Sequence, residues 1–325
     1  MPSATLEPVQ RLIADEMSAV DQVIRRRLHS DVVLIRQVSE HIINGGGKRL
    51  RPALVLLAAG ACGYSGNAHY QLAAVVEFIH TATLLHDDVV DDSDLRRGQA
   101  TANAQFGNAA SVLVGDFLYS RAFQMMVELK NVRVMEVLAD ATNTIAEGEV
   151  LQLINCHDPA VTEEDYLRVI RYKTAKLFEA AAQIGAIISQ TTPEIEDSLA
   201  RYGVHLGTAF QLIDDVLDYS GDHAQTGKNL GDDLAEGKPT LPLIYAIRRG
   251  TPAQADIIRG AIEHGGLEEF QPVLTTIRDT GALEYTRRQA TLESQRAMEA
   301  VASLPHSSYR DSLLQLAAFT VSRTY

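Results

Sequence analysis

Leu84-Leu85-His86-Asp87-Asp88-Val89-Val90-Asp91-Asp92-Ser93-Asp94-Leu95-Arg96-Arg97-Gly98 is the stretch on which the reading of this chain turns. It ends an apolar, helix-periodic run. A second stretch, Gln211-Leu212-Ile213-Asp214-Asp215-Val216-Leu217-Asp218, repeats the spacing DDxxD. Positions i and i+4 share one face of a helix, so Asp87 projects with Asp91, and Asp214 with Asp218. Two such faces turned toward each other make a mouth lined with carboxylates, which repel unless cations hold them. A few hard oxygen ligands, with room for water and a substrate's phosphates, point to Mg²⁺. One acidic helix end is most often a solvated surface. The same spacing twice, each time behind nearly uncharged sequence (Thr81 to Leu85, Ala209 to Ile213), is not.

Working outward, the 325 residues suffice for a substantial core, and 46% hydrophobic with 22% charged residues is ordinary for a globular protein. The formal charge of −13 excludes the basic footprint of a nucleic-acid binder. It does not exclude a polyanionic substrate, because bound metal inverts the local sign. Cys62 and Cys156 have neither disulfide nor metal-site spacing and read as free thiols of a reducing compartment. Met1 to Val20 has no apolar signal core, and no apolar run reaches the length of a membrane span. A cytoplasmic location without a stable membrane anchor is expected.

Apolar residues step by three and four nearly everywhere, as at Leu72, Val75, Val76, Ile79 and Thr83. Alternating strand patterns are absent. Gly- and Pro-containing clusters punctuate helices expected at 6–29, 31–43, 52–62, 68–93, 107–128, 131–155, 163–190, 194–220, 239–249, 252–264, 266–279, 281–302 and 306–323. Thr162 with Asp165 supplies a capping box for one of them. No composition break appears, so one all-α domain over 1–325, a helical bundle around a central cavity, is expected.

The motifs, in order, resemble those of the trans-isoprenyl diphosphate synthases over essentially the whole length. They are Gly45-Gly46-Gly47-Lys48-Arg49-Leu50-Arg51-Pro52, the first aspartate stretch, Val114-Gly115-Asp116-Phe117-Leu118, Glu147-Gly148-Glu149, Tyr172-Lys173-Thr174-Ala175, and Gly207 into the second aspartate stretch. Gly227-Lys228-Asn229-Leu230-Gly231-Asp232-Asp233-Leu234 and Glu236-Gly237-Lys238-Pro239-Thr240-Leu241-Pro242 complete the set. The resemblance implies the class I isoprenoid synthase fold and condensation of an allylic diphosphate, such as farnesyl diphosphate, with isopentenyl diphosphate. It also implies two or three Mg²⁺ per site, bridged by substrate diphosphate, and a homodimer.

It further implies roles. Asp87, Asp88 and Asp91 hold metal on one wall, and Asp214, Asp215 and Asp218 on the other. Arg96, Lys173, Thr174, Gln211, Lys228 and Lys238 face the allylic diphosphate, with Lys173 and Lys228 counted among the catalytic groups. Lys48, Arg51, His80 and Arg97 match the isopentenyl diphosphate site. His80 lies seven residues before Asp87, two turns away on one helix face. Arg forks suit phosphate oxygens. His86 has no assigned role, and Asp92 and Asp94 are not counted as ligands. No general base is required, because the released diphosphate takes the proton in this family.

The helix of the first motif should wall the hydrocarbon pocket. Ala82 and Thr83, one turn deeper, are small, which leaves room for a long chain. Phe123, Met125, Met126 and Leu138 are candidates for the floor. The resemblance, strongest to the long-chain bacterial members, points to an eight-unit product for a quinone side chain, with nine units or a short product as alternatives. A terpene cyclase would mix Asn, Ser and Glu in its second motif, and a non-catalytic subunit would have lost aspartates. Both motifs here are intact.

Overall fold

The computed structural model describes residues 5–44, 47–96, 98–220, 230–265 and 270–323. Two N-terminal helices, α1 (Glu7–Leu12) and α2 (Ala14–Arg27), stand where one was expected, separated at buried Ile13 with ψ 17°. Next come α3 (Val33–Asn44), α4 (Leu50–Ala61) and α5 (Ala68–Val90). After α5 a two-stranded antiparallel ribbon forms, β1 (Leu95–Arg96) against β2 (Gln99–Ala100). Beyond the ribbon are α6 (Ala102–Phe106), α7 (Asn108–Glu128), α8 (Val132–Asn155) and α9 (Glu163–Ile170). A π-helical turn (Arg171–Ala175) links α9 to α10 (Lys176–Ile188). The chain continues through α11 (Pro193–Ser220), α12 (Asp232–Ala235), α13 (Leu241–Arg249), α14 (Pro252–His264), α15 (Phe270–Thr280), α16 (Ala282–Ala300) and α17 (Ser308–Ser322). Among the described residues the ribbon is the only sheet.

The architecture is therefore all-α, as the periodicity requires. α5 buries eleven of its residues and lies along α7 and α4; α11 buries fourteen and lies along α16 and α10. Each fully buried Leu, Ile or Phe of these seams contributes roughly 1.5–3 kcal/mol. The largest apolar cluster joins α2, α4, α5, α7, α8, α10 and α17, and smaller ones lie under α13–α16 and beneath α9. The expected capping box is present: Thr162 Oγ1 accepts from the Asp165 amide at 3.2 Å, and Asp165 returns the bond to the Thr162 amide.

The expected helix 163–190 differs from the structure at the π-turn. One extra residue in the turn rotates the remainder of the helix by about 100°. Two glycines hold the turn in place by close approach. A Cβ at Gly148 on α8 would sit 2.6 Å from the Lys173 amide nitrogen, and one at Gly207 on α11 would sit 2.6 Å from Ala175 Cα. The turn is clamped between two helix backbones, with Lys173 and Thr174 at its centre. Among the described residues no helix is long and apolar enough to cross a membrane.

Candidate active site

A cleft of about 620 Å³ opens where the C-terminal halves of α5 and α11 meet the π-turn. Asp87 and Asp91 line one wall and Asp214, Asp215 and Asp218 the other, with Lys48, Arg51, His80, Thr83, Arg96, Lys173, Thr174, Gln211 and Lys238 between them. Arg97 and Lys228, also expected here, lie outside the described residues, as do Gly45, Gly46, Gly227 and Asn229.

On the first wall α5 stops at Asp91, whose amide closes the last turn on the Asp87 carbonyl at 2.8 Å. Asp88 points away from the cleft and is 4% exposed. The ribbon folds back to meet it: Arg96 donates to Asp88 Oδ1 through Nε at 2.8 Å and Nη2 at 2.5 Å. Asn103 Nδ2 secures the ribbon's base on the Asp88 carbonyl at 3.2 Å. Lys173 Nζ stands 3.4 Å from Asp87 and 2.6 Å from Glu149, and Lys238 Nζ stands 3.0 Å from Asp91 while also pairing with Glu236. Burial opposes the Lys173 charge, but Asp87 and Glu149 outweigh it and raise its pKa. Burial likewise lifts Asp87 above the usual carboxylate range, and it lifts Glu149 to about 7.

The second wall is built differently. Asp214 pairs with Arg323 Nη2 at 2.6 Å. Asp215 is 1% exposed and accepts from the Tyr166 hydroxyl on one oxygen and from Gln211 Nε2 on the other at 2.9 Å. Gln211 Oε1 in turn accepts from Thr174 Oγ1 at 3.1 Å. Burial, then the nearby Asp233 charge, pushes Asp215 up to about 8 against those hydrogen bonds.

Toward α4, Arg51 Nη1 lies 3.1 Å from His80 Nε2, so the expected isopentenyl set does converge where it is described. Arg51 stacks over Phe178 at 4.5 Å, Phe178 lies 5.6 Å from Phe210, and Arg323 covers Phe210 at 3.9 Å. Two arginine planes thus bracket a phenylalanine pair of which Phe210 lines the cleft and Phe178 is buried behind it. Arg49, between Lys48 and Arg51 in sequence, is drawn off to Glu77 at 3.2 Å.

The pocket residues separate. Thr83 lines the cleft, its hydroxyl donating to the His80 carbonyl at 2.8 Å. Ala82, Met125, Met126 and Leu138 are at most 1% exposed in the main core and do not line the cleft. Phe123, on α7, is 37% exposed and does not line the cleft. Among the cleft residues without an assigned role in the sequence reading, four bear directly on the two walls. Glu149 and Asp233 stand inside the recognised motifs; Tyr166 and Arg323 carry no local signal at all.

The cleft carboxylates supply oxygen donors of the hard type Mg²⁺ takes. Among the described residues no three His, Cys, Asp or Glu side chains converge on one point. This donor set fits a cation whose remaining ligands are water and phosphate oxygens rather than a closed protein cage.

The fold and cleft are those of an all-α isoprenoid synthase. The chain belongs to the polyprenyl synthetase family, whose model matches residues 32–276. It is 58% identical to the octaprenyl diphosphate synthase of Escherichia coli K12, over 98% of this chain and 99% of that one. It is 48% identical to an all-trans-nonaprenyl-diphosphate synthase (geranyl-diphosphate specific) of Rhodobacter capsulatus, over 96% of each chain. A crystal structure of a polyprenyl synthase from Caulobacter crescentus, complexed with calcium and isoprenyl diphosphate, superimposes with a TM-score of 0.96 at 45% identity, covering all of both chains.

Proposed function

We propose that this prenyltransferase condenses an allylic diphosphate, farnesyl diphosphate first, with successive isopentenyl diphosphates to the eight-unit octaprenyl diphosphate, for a quinone side chain. The observation that carries the reading is the exchangeable pairing in the cleft: Lys173 on Asp87, Lys238 on Asp91 and Arg323 on Asp214. Each carboxylate is matched to a cation that a diphosphate would also attract.

Asp87, Asp91, Asp214 and Asp218 would hold two or three Mg²⁺ together with the diphosphate, and the metal would supply Lewis-acid stabilisation of the leaving diphosphate. With metal on these carboxylates, Lys173 and Lys238 would be free to turn to phosphate oxygens, while Arg96, held on Asp88, adds fixed positive charge at the same cleft. Fixed positive charge aimed at the departing group lowers the barrier to ionisation. Gln211 and Thr174 present dipoles beside the allylic cation. Lys48, Arg51 and His80, with Arg97, hold isopentenyl diphosphate so that its double bond attacks that cation. The apolar wall of Leu84, Val169, Phe210 and Leu217 keeps water from it. The released diphosphate takes the proton.

We read residues 1–325 as one domain acting in the cytoplasm as a homodimer. Exposed Leu113 and Val127 on α7 and Leu153 and Ile154 on α8 support an apolar interface. A nine-unit product is the second reading, favoured by the Rhodobacter relative. The test is a product assay with Mg²⁺, farnesyl diphosphate and labelled isopentenyl diphosphate, sizing the dephosphorylated alcohols. A dominant eight-unit alcohol, lost with EDTA, upholds the reading. A fifteen- or twenty-carbon product moves the chain to the short-chain class, and no condensation overturns the reading.

A further inference from the structure

Tyr166 stands on α9, 5% exposed, and its hydroxyl donates to Asp215 Oδ2 across the α9–α11 seam. The bond opens a continuous string. Gln211 Nε2 donates to Asp215 Oδ1 at 2.9 Å, and Thr174 Oγ1 donates to Gln211 Oε1 at 3.1 Å. Both ends of the Gln211 amide are therefore committed, which fixes the direction of its dipole at the cleft. Both oxygens of Asp215 are also committed, to Tyr166 and Gln211. The two outer aspartates of the motif stand apart from this string: Asp214 meets a guanidinium, and Asp218 lines the cleft.

One short segment supplies the two ends of the string. Tyr166 lies on α9 and Thr174 in the π-turn directly after it, and the two glycine contacts hold that turn against α8 and α11. Asp215 and Gln211, one turn apart on α11, are gripped between these ends.

We propose that Tyr166 is a positioning residue for the second aspartate motif: through Asp215 it sets the rotation of α11 that aims Asp214 and Asp218 at the cleft, and through Gln211 it orients the amide beside the allylic cation. In this arrangement Asp215 is a structural carboxylate of the motif and not one of its metal ligands. The proposal rests on the functional reading above. Removing the hydroxyl leaves Asp215 Oδ2 buried without its donor and frees the Gln211 amide to turn. The arginine and histidine group that would bind isopentenyl diphosphate is on α4 and α5 and stays as it was.

The test is Tyr166→Phe in the full chain, with two readouts. The first is steady-state kinetics. Loss of a group that orients a metal ligand is expected to lower kcat about 10- to 100-fold, with KM for isopentenyl diphosphate kept within about twofold. The second is the rise in melting temperature on adding Mg²⁺ with inorganic diphosphate, expected to fall to about half of the wild-type rise or less as the fit of the outer aspartates loosens. A lower melting temperature with unchanged kcat and an unchanged ligand-induced rise would mean a merely structural role and would overturn the proposal. Should Tyr166→Phe not fold, Asp215→Asn takes its place. It is expected to keep most of the melting-temperature rise on adding Mg²⁺ with inorganic diphosphate, and loss of that rise, which would make Asp215 a metal ligand, overturns the proposal. Wild-type protein that condenses normally separates this failure from failure of the functional reading, in which wild type neither condenses nor responds to Mg²⁺ and diphosphate.

Discussion

The two aspartate motifs share one spacing and live in different electrostatic surroundings. In the first, Asp88 is neutralised by an ion, Arg96, placed by a ribbon only eight residues further on. In the second, the corresponding Asp215 is held by neutral donors, Tyr166 and Gln211, and is crowded by the Asp233 charge. The first motif closes a helix, with Asp91 as its cap, while the second lies within one that runs on to Ser220. Spacing decides which face a carboxylate takes; it does not decide what meets it there.

The outer aspartates should break the resemblance least. Asp87→Ala and Asp214→Ala are each expected to lower kcat about 10²- to 10³-fold, the scale seen when one electrostatic contact to the developing charge is lost, with circular dichroism unchanged. Activity retained in either variant would remove that wall from the metal site. On the first helix, Ala82→Phe is expected to shorten the product, because Ala82 is fully buried next in sequence to Thr83, which lines the cleft, so an added ring there would crowd the space beyond it. The added ring overpacks the core at about 1–3 kcal/mol, read as a lower melting temperature. An unchanged product would show that the chain grows along another wall.

The middle aspartates should diverge. Asp88→Asn leaves the Arg96 guanidinium with a neutral partner in a half-buried place. A loss of about 1–3 kcal/mol is expected, measured by urea unfolding. Asp215→Asn keeps its oxygen as acceptor for Gln211 Nε2, offers its new NH2 to the Tyr166 hydroxyl, which can accept, and removes a charge that burial and Asp233 already disfavour, so its stability should stay within about 1 kcal/mol of wild type. Equal losses in the two variants would erase the distinction between an ionic and a neutral clamp.

The same contrast marks what the chain discloses before it folds. Helices at 68–93, 107–128, 131–155 and 194–220 emerge nearly as expected, because each buries a continuous stripe and the stripe is written in the residue order. The ribbon does not, since two residues per strand are too few to alternate. Nor does the π-turn, because a hydrogen-bond register leaves no trace in side-chain polarity; only the glycines on α8 and α11 reveal why it persists. Arg96 comes soon enough after its aspartates to be read with them. Tyr166 and Asp215 are 49 residues apart, and Arg323 reaches Asp214 from just beyond the last helix, so neither contact has a local signature.

The smallest effect expected is a slope of stability against pH that the two walls share unequally. Glu149, beside the first motif, is raised from 4.5 to about 7, and Asp215 in the second from 3.8 to about 8. An acid whose pKa is raised on folding binds its proton more tightly in the folded state. Its stabilising contribution is complete below the unfolded value and is lost as pH rises through the folded one. In chelator-treated protein the melting temperature should therefore fall between about pH 5 and pH 8. Glu149→Gln should flatten the part of that fall below pH 7 and leave the part approaching pH 8, which belongs to Asp215. Asp215→Asn should remove the part approaching pH 8 and lessen the part below pH 7 as well, because its span runs from 3.8 to about 8. If Glu149→Gln leaves the whole slope as it was, the Lys173 ion pair holds Glu149 charged throughout, and the first wall is electrostatically balanced before any ligand arrives.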